Sequence, residues 1–375
     1  MPDFSEILPD LVSRFSDRAA AYDLSGDIAL DNLADLRNAG LLALTVSPQY
    51  GGGGKMLQDI VPLIQTLAQG DPSTTLILAM QCLHHKSIAD SRHWPEATRK
   101  LVSDSAVQDG ALINALRVEP ELGTPSRGGL PATRVHYENG QWVLNGCKIY
   151  STGSTALRWG LVWAATAEDT PRTGQVLVPM DAPGVRIERS WNQLGMRATG
   201  SHTVHFKNVL LPEDFLVDLR SPDAWRGEGQ DVIMWHAILI AALYNGVAHS
   251  ARDWLIGFLH QRVPANLGAS LSTLPRFHTL LGEIDALLLS NRALLADWLT
   301  RYAKGKTNPT EANLTKYCVS ENAITSVQKG VAAIGNPALS RDNALERHLR
   351  NVLCARIHTP QADTALAAAG KTALS

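Results

Sequence analysis

With 375 residues, the chain is long enough to bury a large core and to divide into two or three structural units. It is 45% hydrophobic and 19% charged, with a net charge of −2 and no long basic run, which excludes an electrostatic case for nucleic acid or an anionic membrane. Four cysteines, Cys82, Cys147, Cys318 and Cys354, lie far apart without a C-x-x-C pair, so neither a disulfide framework nor a metal site is indicated.

That cysteine usage suits a reducing cytoplasm. The N-terminus carries Asp3, Glu6 and Asp10 rather than the basic start of a secretory signal. The most apolar stretch, 233–243, is short for a bilayer span and is interrupted by His236. A soluble, cytoplasmic protein is expected.

Residues 4–43 read as helix. Phe4, Ile7, Leu8, Leu11, Val12 and Phe15 recur at helical spacing, Leu33, Leu36, Leu41 and Leu42 repeat the pattern, and Gly40 suits a helix end. Gly51 to Gly54 lack the Lys-Ser/Thr that completes a phosphate loop, so a structural turn is expected there. Helices resume over 56–69 and 73–89. The second carries His84 and His85, of which at most one is expected to face inward.

From about 111 to 216 the period changes to two, with Gly, Pro and Asn as punctuation. Strands are expected at 133–137, 141–144, 160–166, 175–179, 185–188 and 202–207. Asn139-Gly140 is a strong hairpin signal, because both residues reach positive φ cheaply, and Asn145-Gly146 repeats it as a second turn. Tyr150-Ser151-Thr152-Gly153-Ser154 then sets hydroxyls and small residues at a strand end, where backbone amides can approach a flat ligand. Alone, that stretch reads equally as a hydroxyl-rich turn.

Beyond residue 227 the pattern is helical again, over 231–262, 274–304, 309–331 and 345–357. A helix of some 30 residues extends about 45 Å, a length usual in a bundle or against a partner subunit. The expected fold class is α+β and mostly helical: a helical domain over 1–110, a β domain over 111–222 and a helical domain over 223–375.

Several motifs stand in a fixed order. They are Ser47-Pro48-Gln49-Tyr50-Gly51-Gly52, then Val118-Glu119-Pro120-Glu121-Leu122-Gly123-Thr124, then Asn145-Gly146-Cys147-Lys148-Ile149-Tyr150-Ser151-Thr152-Gly153. Last comes Trp191-Asn192-Gln193-Leu194-Gly195-Met196-Arg197-Ala198-Thr199-Gly200-Ser201, followed by Phe206-Lys207-Asn208-Val209. In this order they resemble the acyl-CoA dehydrogenase superfamily over nearly the whole chain, with Val118 where that family usually has threonine. The resemblance implies an N-terminal helical domain, a middle β-barrel domain that faces a flavin, a C-terminal four-helix bundle and a homotetramer. It also implies that Thr152 bonds near flavin N5, that Tyr150 lies against the isoalloxazine ring, and that the loop of Val118, Glu119, Gly123 and Thr124 offers amides to the cofactor. Arg262 resembles the arginine that reaches a neighbouring subunit's flavin pyrophosphate. A solvated helix-end cation is the other reading of Arg262.

The departures bear on chemistry. The family's dehydrogenases remove an α-proton with a glutamate as hydride leaves for the flavin. Aligned on Arg350, the usual glutamate position is Thr359. The alternative position, on the first long C-terminal helix, is His236. The adenine-side motif is also altered, to Ala332-Ala333-Ile334-Gly335-Asn336-Pro337-Ala338-Leu339, so FMN or an exchangeable reduced flavin enters beside FAD. Arg347-His348-Leu349-Arg350-Asn351-Val352, with Ile357-His358-Thr359-Pro360, resembles the C-terminal signature of the superfamily's flavin-dependent monooxygenases, such as those acting on dibenzothiophene. That branch implies His358, Ser151 and His84 as catalytic hydrogen-bonding groups, a small organic substrate and a separate flavin reductase. An acyl-CoA dehydrogenase with a displaced base is the alternative reading, and a binding or assembly subunit without activity is the third.

Overall fold

The computed structural model describes residues 4–122, 129–225 and 229–375. Five helices come first: α1 (Phe4–Ser25), α2 (Leu30–Asn38), α3 (Leu57–Leu67), α4 (Pro72–Asp90) and α5 (Glu96–Asp109). Eight strands follow: β1 (Leu112–Leu116), β2 (Arg134–Glu138), β3 (Gln141–Ser151), β4 (Leu157–Thr166), β5 (Thr173–Pro179), β6 (Val185–Glu188), β7 (His202–Leu211) and β8 (Asp218–Arg220). The chain closes with α6 (Gln230–Gln261), α7 (Pro275–Tyr302), α8 (Pro309–Ile334), α9 (Ala344–Leu353) and α10 (Ala362–Leu374).

The strands form one sheet in the order β6-β7-β3-β2-β4-β5-β8. β1 and β2 share one edge of β4, both parallel to it, with β1 along Leu157–Val162 and β2 at Ala165 and Thr166. Asn139 (φ 51°) and Gly140 (φ 83°) make the expected hairpin between β2 and β3. The second Asn-Gly does not turn. β3 runs through it, and the register against β7 shifts between Leu144 and Gly146, a bulge. A Cβ on Gly146 would stand 2.4 Å from Thr133 Oγ1, and the Asn145 side chain accepts from the Asn208 amide at 2.9 Å. Close approach and a side-chain cap explain this Asn-Gly.

The expected helix over 4–43 breaks at Gly26 (φ 74°), which separates α1 from α2. α4 starts at a strong cap: the Asp71 carboxylate accepts from the amides of Ser73 and Thr74, and Pro72 needs no N–H partner in the first turn. It is buried on every side, because α3, α6 and β1 all pack on it. Both His84 and His85 are therefore buried, against the expectation of at most one.

α6 is the axis of the C-terminal bundle and packs against α3, α4, α7, α8 and α9. A Cβ on Gly246 would lie 2.3 Å from the Gln65 carbonyl, so glycine sets how closely α6 meets α3. α6 is longer than the apolar stretch suggests, and it is long and apolar enough to cross a membrane. However, 72% of its most apolar window is buried inside the molecule, so its composition is that of a core helix. Trp235 and Tyr244 on α6 and Trp298 on α7 are wholly buried, each worth about 2–3 kcal/mol of transfer free energy.

One helix joins the three parts of the chain. Arg350 on α9 pairs with Asp23 of α1 and Glu346, both at 2.6 Å, and donates to the Leu194 carbonyl at 2.9 Å. Beside it, Asn351 accepts from the Met196 amide at 2.7 Å.

Candidate functional site

The end of β3 is held in an unusual shape. Tyr150 has φ 57°, an outlier for a bulky residue, and is 56% exposed, with Trp191 edge-on to its ring at 6.2 Å. Next to it, Ser151 is wholly buried and its Oγ has no hydrogen-bond partner among the described residues. Thr152 Oγ1 shares a hydrogen bond with Ser201 Oγ at 2.9 Å, and Ser201 shares another with Thr199 at 2.8 Å. A backbone held at positive φ and an exposed aromatic side chain at one strand end offer a surface that a flat ring could cover, whereas the Ser151 hydroxyl lies behind it with no open surface.

The Thr152 carbonyl leads back to α4. Asn114 on β1 donates Nδ2–H to it at 2.9 Å, which turns Oδ1 toward His84 Nε2 at 3.0 Å. The Ala115 amide lies 2.8 Å from the same Oδ1 and 3.2 Å from His84 Nε2. The shorter contact satisfies that amide, leaving Nε2–H of His84 to donate to Asn114. Burial, chiefly, pushes the His84 pKa down to about 4, so the ring is neutral at pH 7.

Two more histidines share this place. His236 on α6 lies against the Thr359 backbone, and burial lowers it to about 4, helped by the charges of Lys316 and Arg117. His358 follows α9, and burial lowers it to about 3. His236 lies near enough to both His84 and His358 for its charge to be felt at each, which sets it between α4 and the segment 354–361. His358 Nδ1 and the Tyr244 hydroxyl are 2.7 Å apart. Burial holds the Tyr244 phenol protonated, so it can donate to Nδ1 and leave Nε2–H of His358 as a donor. Positions 236 and 359, the two alternative carboxylate positions implied by the resemblance, thus adjoin each other. They hold an imidazole and a hydroxyl. Among the described residues, no Asp or Glu bonds to His84, His236 or His358.

α9 does not carry His358 on a straight helix, as the expected span 345–357 implied. It ends at Leu353, a short 3-10 turn covers Cys354–Arg356, and His358 sits beyond. His348 stays on α9, near Ser250 Oγ at 3.4 Å, away from the Tyr244 contact. What fixes the segment is Lys316 of α8. Its buried ammonium donates to the carbonyls of Ala355 (2.7 Å), His358 (2.8 Å) and Pro360 (3.1 Å). Sequence reading missed Lys316, Tyr244 and Asn114, for each is an ordinary helix or strand residue whose partners lie far along the chain.

The loop after β1 is anchored by its own acid. The Glu119 carboxylate accepts from the amides of Ala132 (2.7 Å) and Thr133 (3.0 Å) and from buried Lys148 (2.6 Å). Val118 bridges to Ile149, whose amide donates to its carbonyl at 2.9 Å. Glu119 therefore shapes the loop with its side chain, and only backbone is left for a ligand. Gly123 and Thr124 lie outside the described residues. Arg262 caps the far end of α6, 26 residues beyond His236 and about 39 Å away along the helix. It does not join the histidines of its own chain.

Residues 118–209 match the profile of the acyl-CoA dehydrogenase middle domain, and residues 229–359 that of its C-terminal domain. YdbM of Bacillus subtilis (strain 168), named for the acyl-CoA dehydrogenases, is 33% identical over 359 residues, covering 95% of this chain and 92% of YdbM. The chain belongs to the acyl-CoA dehydrogenase superfamily. Among solved structures, KijD3 with FMN and a dTDP-linked amino-keto sugar superimposes with a TM-score of 0.85 at 24% identity, covering 98% of this chain and 92% of KijD3. FMN-bound TdsC from Paenibacillus sp. A11-2 gives 0.84 at 20% identity, covering 96% and 94%. These matches establish the acyl-CoA dehydrogenase fold expected from sequence, in which helical regions flank a sheet-containing middle domain.

Proposed function

We propose that this superfamily member is a flavin-dependent monooxygenase, working with reduced flavin and O2 on a small organic molecule. The observation that carries it is the wall of His84, His236 and His358, all neutral at pH 7, where positions 236 and 359 adjoin without a carboxylate. That region offers the Nε2–H of His358 as a donor and holds no carboxylate of the kind the dehydrogenases use to remove the α-proton. KijD3 and TdsC, both solved with FMN, support the choice of cofactor, with FAD the alternative.

A bound flavin, once reduced, supplies the electrons for oxygen activation. This chain's residues supply the surroundings. Tyr150 would cover one ring face and Thr152 would meet the N5 edge, with Ser151 packed behind them and out of a ligand's reach. His358, with Nδ1 taken by Tyr244, would present Nε2–H as a donor. His84 acts through Asn114 on the Thr152 carbonyl and so positions the strand end. The buried helices around it exclude water, which protects an activated oxygen species from collapse. Arg262 would act across a subunit boundary in a homotetramer, and a separate reductase would deliver the reduced flavin in the cytoplasm.

The test is stopped-flow absorbance after mixing the protein, loaded anaerobically with reduced FMN, with oxygenated buffer. A transient species ahead of the oxidised-flavin spectrum is expected in wild type, shortened in His358→Ala with flavin affinity retained. Direct reoxidation without a transient refutes the reading. The dehydrogenase alternative, favoured by the likeness to YdbM, then requires that an acyl-CoA thioester bleach the oxidised flavin. Failure to bind either flavin would leave the role of an assembly subunit.

A further inference from the structure

A hydroxyl carries one proton and two lone pairs, so a chain of hydroxyls has a direction once one end is fixed. One such chain runs from the end of β3. Thr199 Oγ1 lies 2.9 Å from the Met196 carbonyl, which can only accept, so the Thr199 proton is committed there. Ser201 Oγ stands 2.8 Å from Thr199 Oγ1 and must donate to it. Thr152 Oγ1 stands 2.9 Å from Ser201 Oγ and must donate in turn. The reverse order would set two lone pairs against each other at hydrogen-bond distance, and both Thr199 and Ser201 are buried.

The other protons of this turn are committed as well. The Thr152 amide donates to the Tyr150 carbonyl at 3.1 Å, the Gly153 amide to the Thr199 carbonyl at 2.8 Å and the Ser154 amide to the Ser151 carbonyl at 3.0 Å. Ser154 Oγ donates to the Gly200 carbonyl at 2.7 Å. Residues 152–154 therefore have acceptors left for a ligand and not donors. Foremost is Thr152 Oγ1, whose hydrogen bond to Ser201 uses its proton and leaves its lone pairs, on a half-buried residue beside exposed Tyr150.

The two redox states of a flavin differ at the matching atom. N5 of the oxidised ring offers a lone pair, whereas N5 of the fully reduced ring carries a hydrogen. An acceptor without a proton to give bonds to the second and opposes the first.

We propose that Thr199 and Ser201 are positioning residues that turn the Thr152 proton inward and so make the site select reduced over oxidised flavin. This rests on the reading that Thr152 meets the N5 edge, and not on the reaction that follows. Unequal affinity for the two redox states moves the equilibrium between them, and a roughly tenfold preference for the reduced form corresponds to a rise of about 30 mV in a two-electron midpoint potential.

The test is the anaerobic midpoint potential of FMN, bound and free, against a reference dye, with fluorescence quenching giving the affinity of the oxidised form. FAD serves as a second probe. In wild type the bound midpoint should lie above the free one by about 30 mV or more. Thr199→Val keeps the shape, removes the acceptor that holds Ser201, and leaves the Met196 carbonyl its second donor, Trp191 Nε1 at 3.1 Å. It should return the midpoint toward the free value. Ser201→Ala should do the same by releasing the Thr152 proton, and Ser201→Thr should keep the wild-type midpoint. A merely structural role would weaken both redox forms alike and leave the midpoint unmoved, which would overturn the proposal. A wild-type midpoint at or below the free value would also overturn it, and failure to bind either flavin would remove the monooxygenase reading with it. A relay-dependent midpoint in a protein that shows no oxygenation transient keeps this inference and discards the monooxygenase reading, and a transient with a relay-independent midpoint does the reverse.

Discussion

Replacing Lys316 with methionine should release the segment that carries His358. The buried ammonium makes three charge-assisted hydrogen bonds to carbonyls, worth about 1.5–3 kcal/mol each and so roughly 5–9 kcal/mol in gross terms. Against this stands burial, which pulls the Lys316 pKa from 10.5 to about 8, a cost of about 3 kcal/mol for the charge at neutral pH. The balance lost in Lys316→Met is therefore about 2–6 kcal/mol. The folded pKa lies below the unfolded one, so the cost is fully present below pH 8 and is relieved as pH rises toward 10.5. From this group wild type should gain stability across that window, and the variant should not. The assay is amide hydrogen exchange over 354–361 together with urea denaturation at pH 7 and pH 9.5. Unchanged exchange in that segment and an unchanged midpoint would refute the reasoning.

Acid should be damaging well above the carboxylate range. His84 and His236 are held at about 4, and His85, His348 and His358 at about 3, by burial. An unfolded histidine takes its proton near 6.5 and these do not, so stability falls as pH drops from 6.5 toward 4, by about 2 kcal/mol per ring at pH 5. Urea midpoints at pH 7 and pH 5 should differ by far more than a single histidine could cause, and equal midpoints would contradict the burial argument. Glu119→Ala should cost about 3–5 kcal/mol, since it strands the ammonium of Lys148 inside the protein. The double variant Glu119→Leu with Lys148→Met should recover much of that in denaturant titrations. If the double variant is no better than the single, the cost came from the loop amides of Ala132 and Thr133 instead.

What could be read from sequence was whatever is written locally. The Asn139-Gly140 hairpin and the long C-terminal helices follow from turn chemistry and apolar period. Asn145-Gly146 misled because one dipeptide serves both a turn and a bulge, and only the approach of Thr133 decides between them. α5 escaped notice because its face is narrow, with Val102 and Ala106 buried but Leu101 exposed. β1 is a short apolar run whose partner strand lies some 45 residues on, so period alone gave it no face. The adjacency of positions 236 and 359 is likewise long-range, and motif order implied it without showing it. The pairing of His84 with Asn114 and the grip of Lys316 on three carbonyls leave no mark in the sequence.

Arg350 and Asn351 tie together α1, the segment after β6 and the C-terminal bundle within two residues. Through these two residues each region supplies the others with a hydrogen-bond or ion-pair partner. A cut near residue 222 would leave the Met196 amide and the Leu194 carbonyl without partners, and α9 would lose its hold on Asp23. The three units are thus architectural divisions and not independent foldons. The histidine region lies where they meet, so loss of any one unit dismantles the site before the remaining units melt.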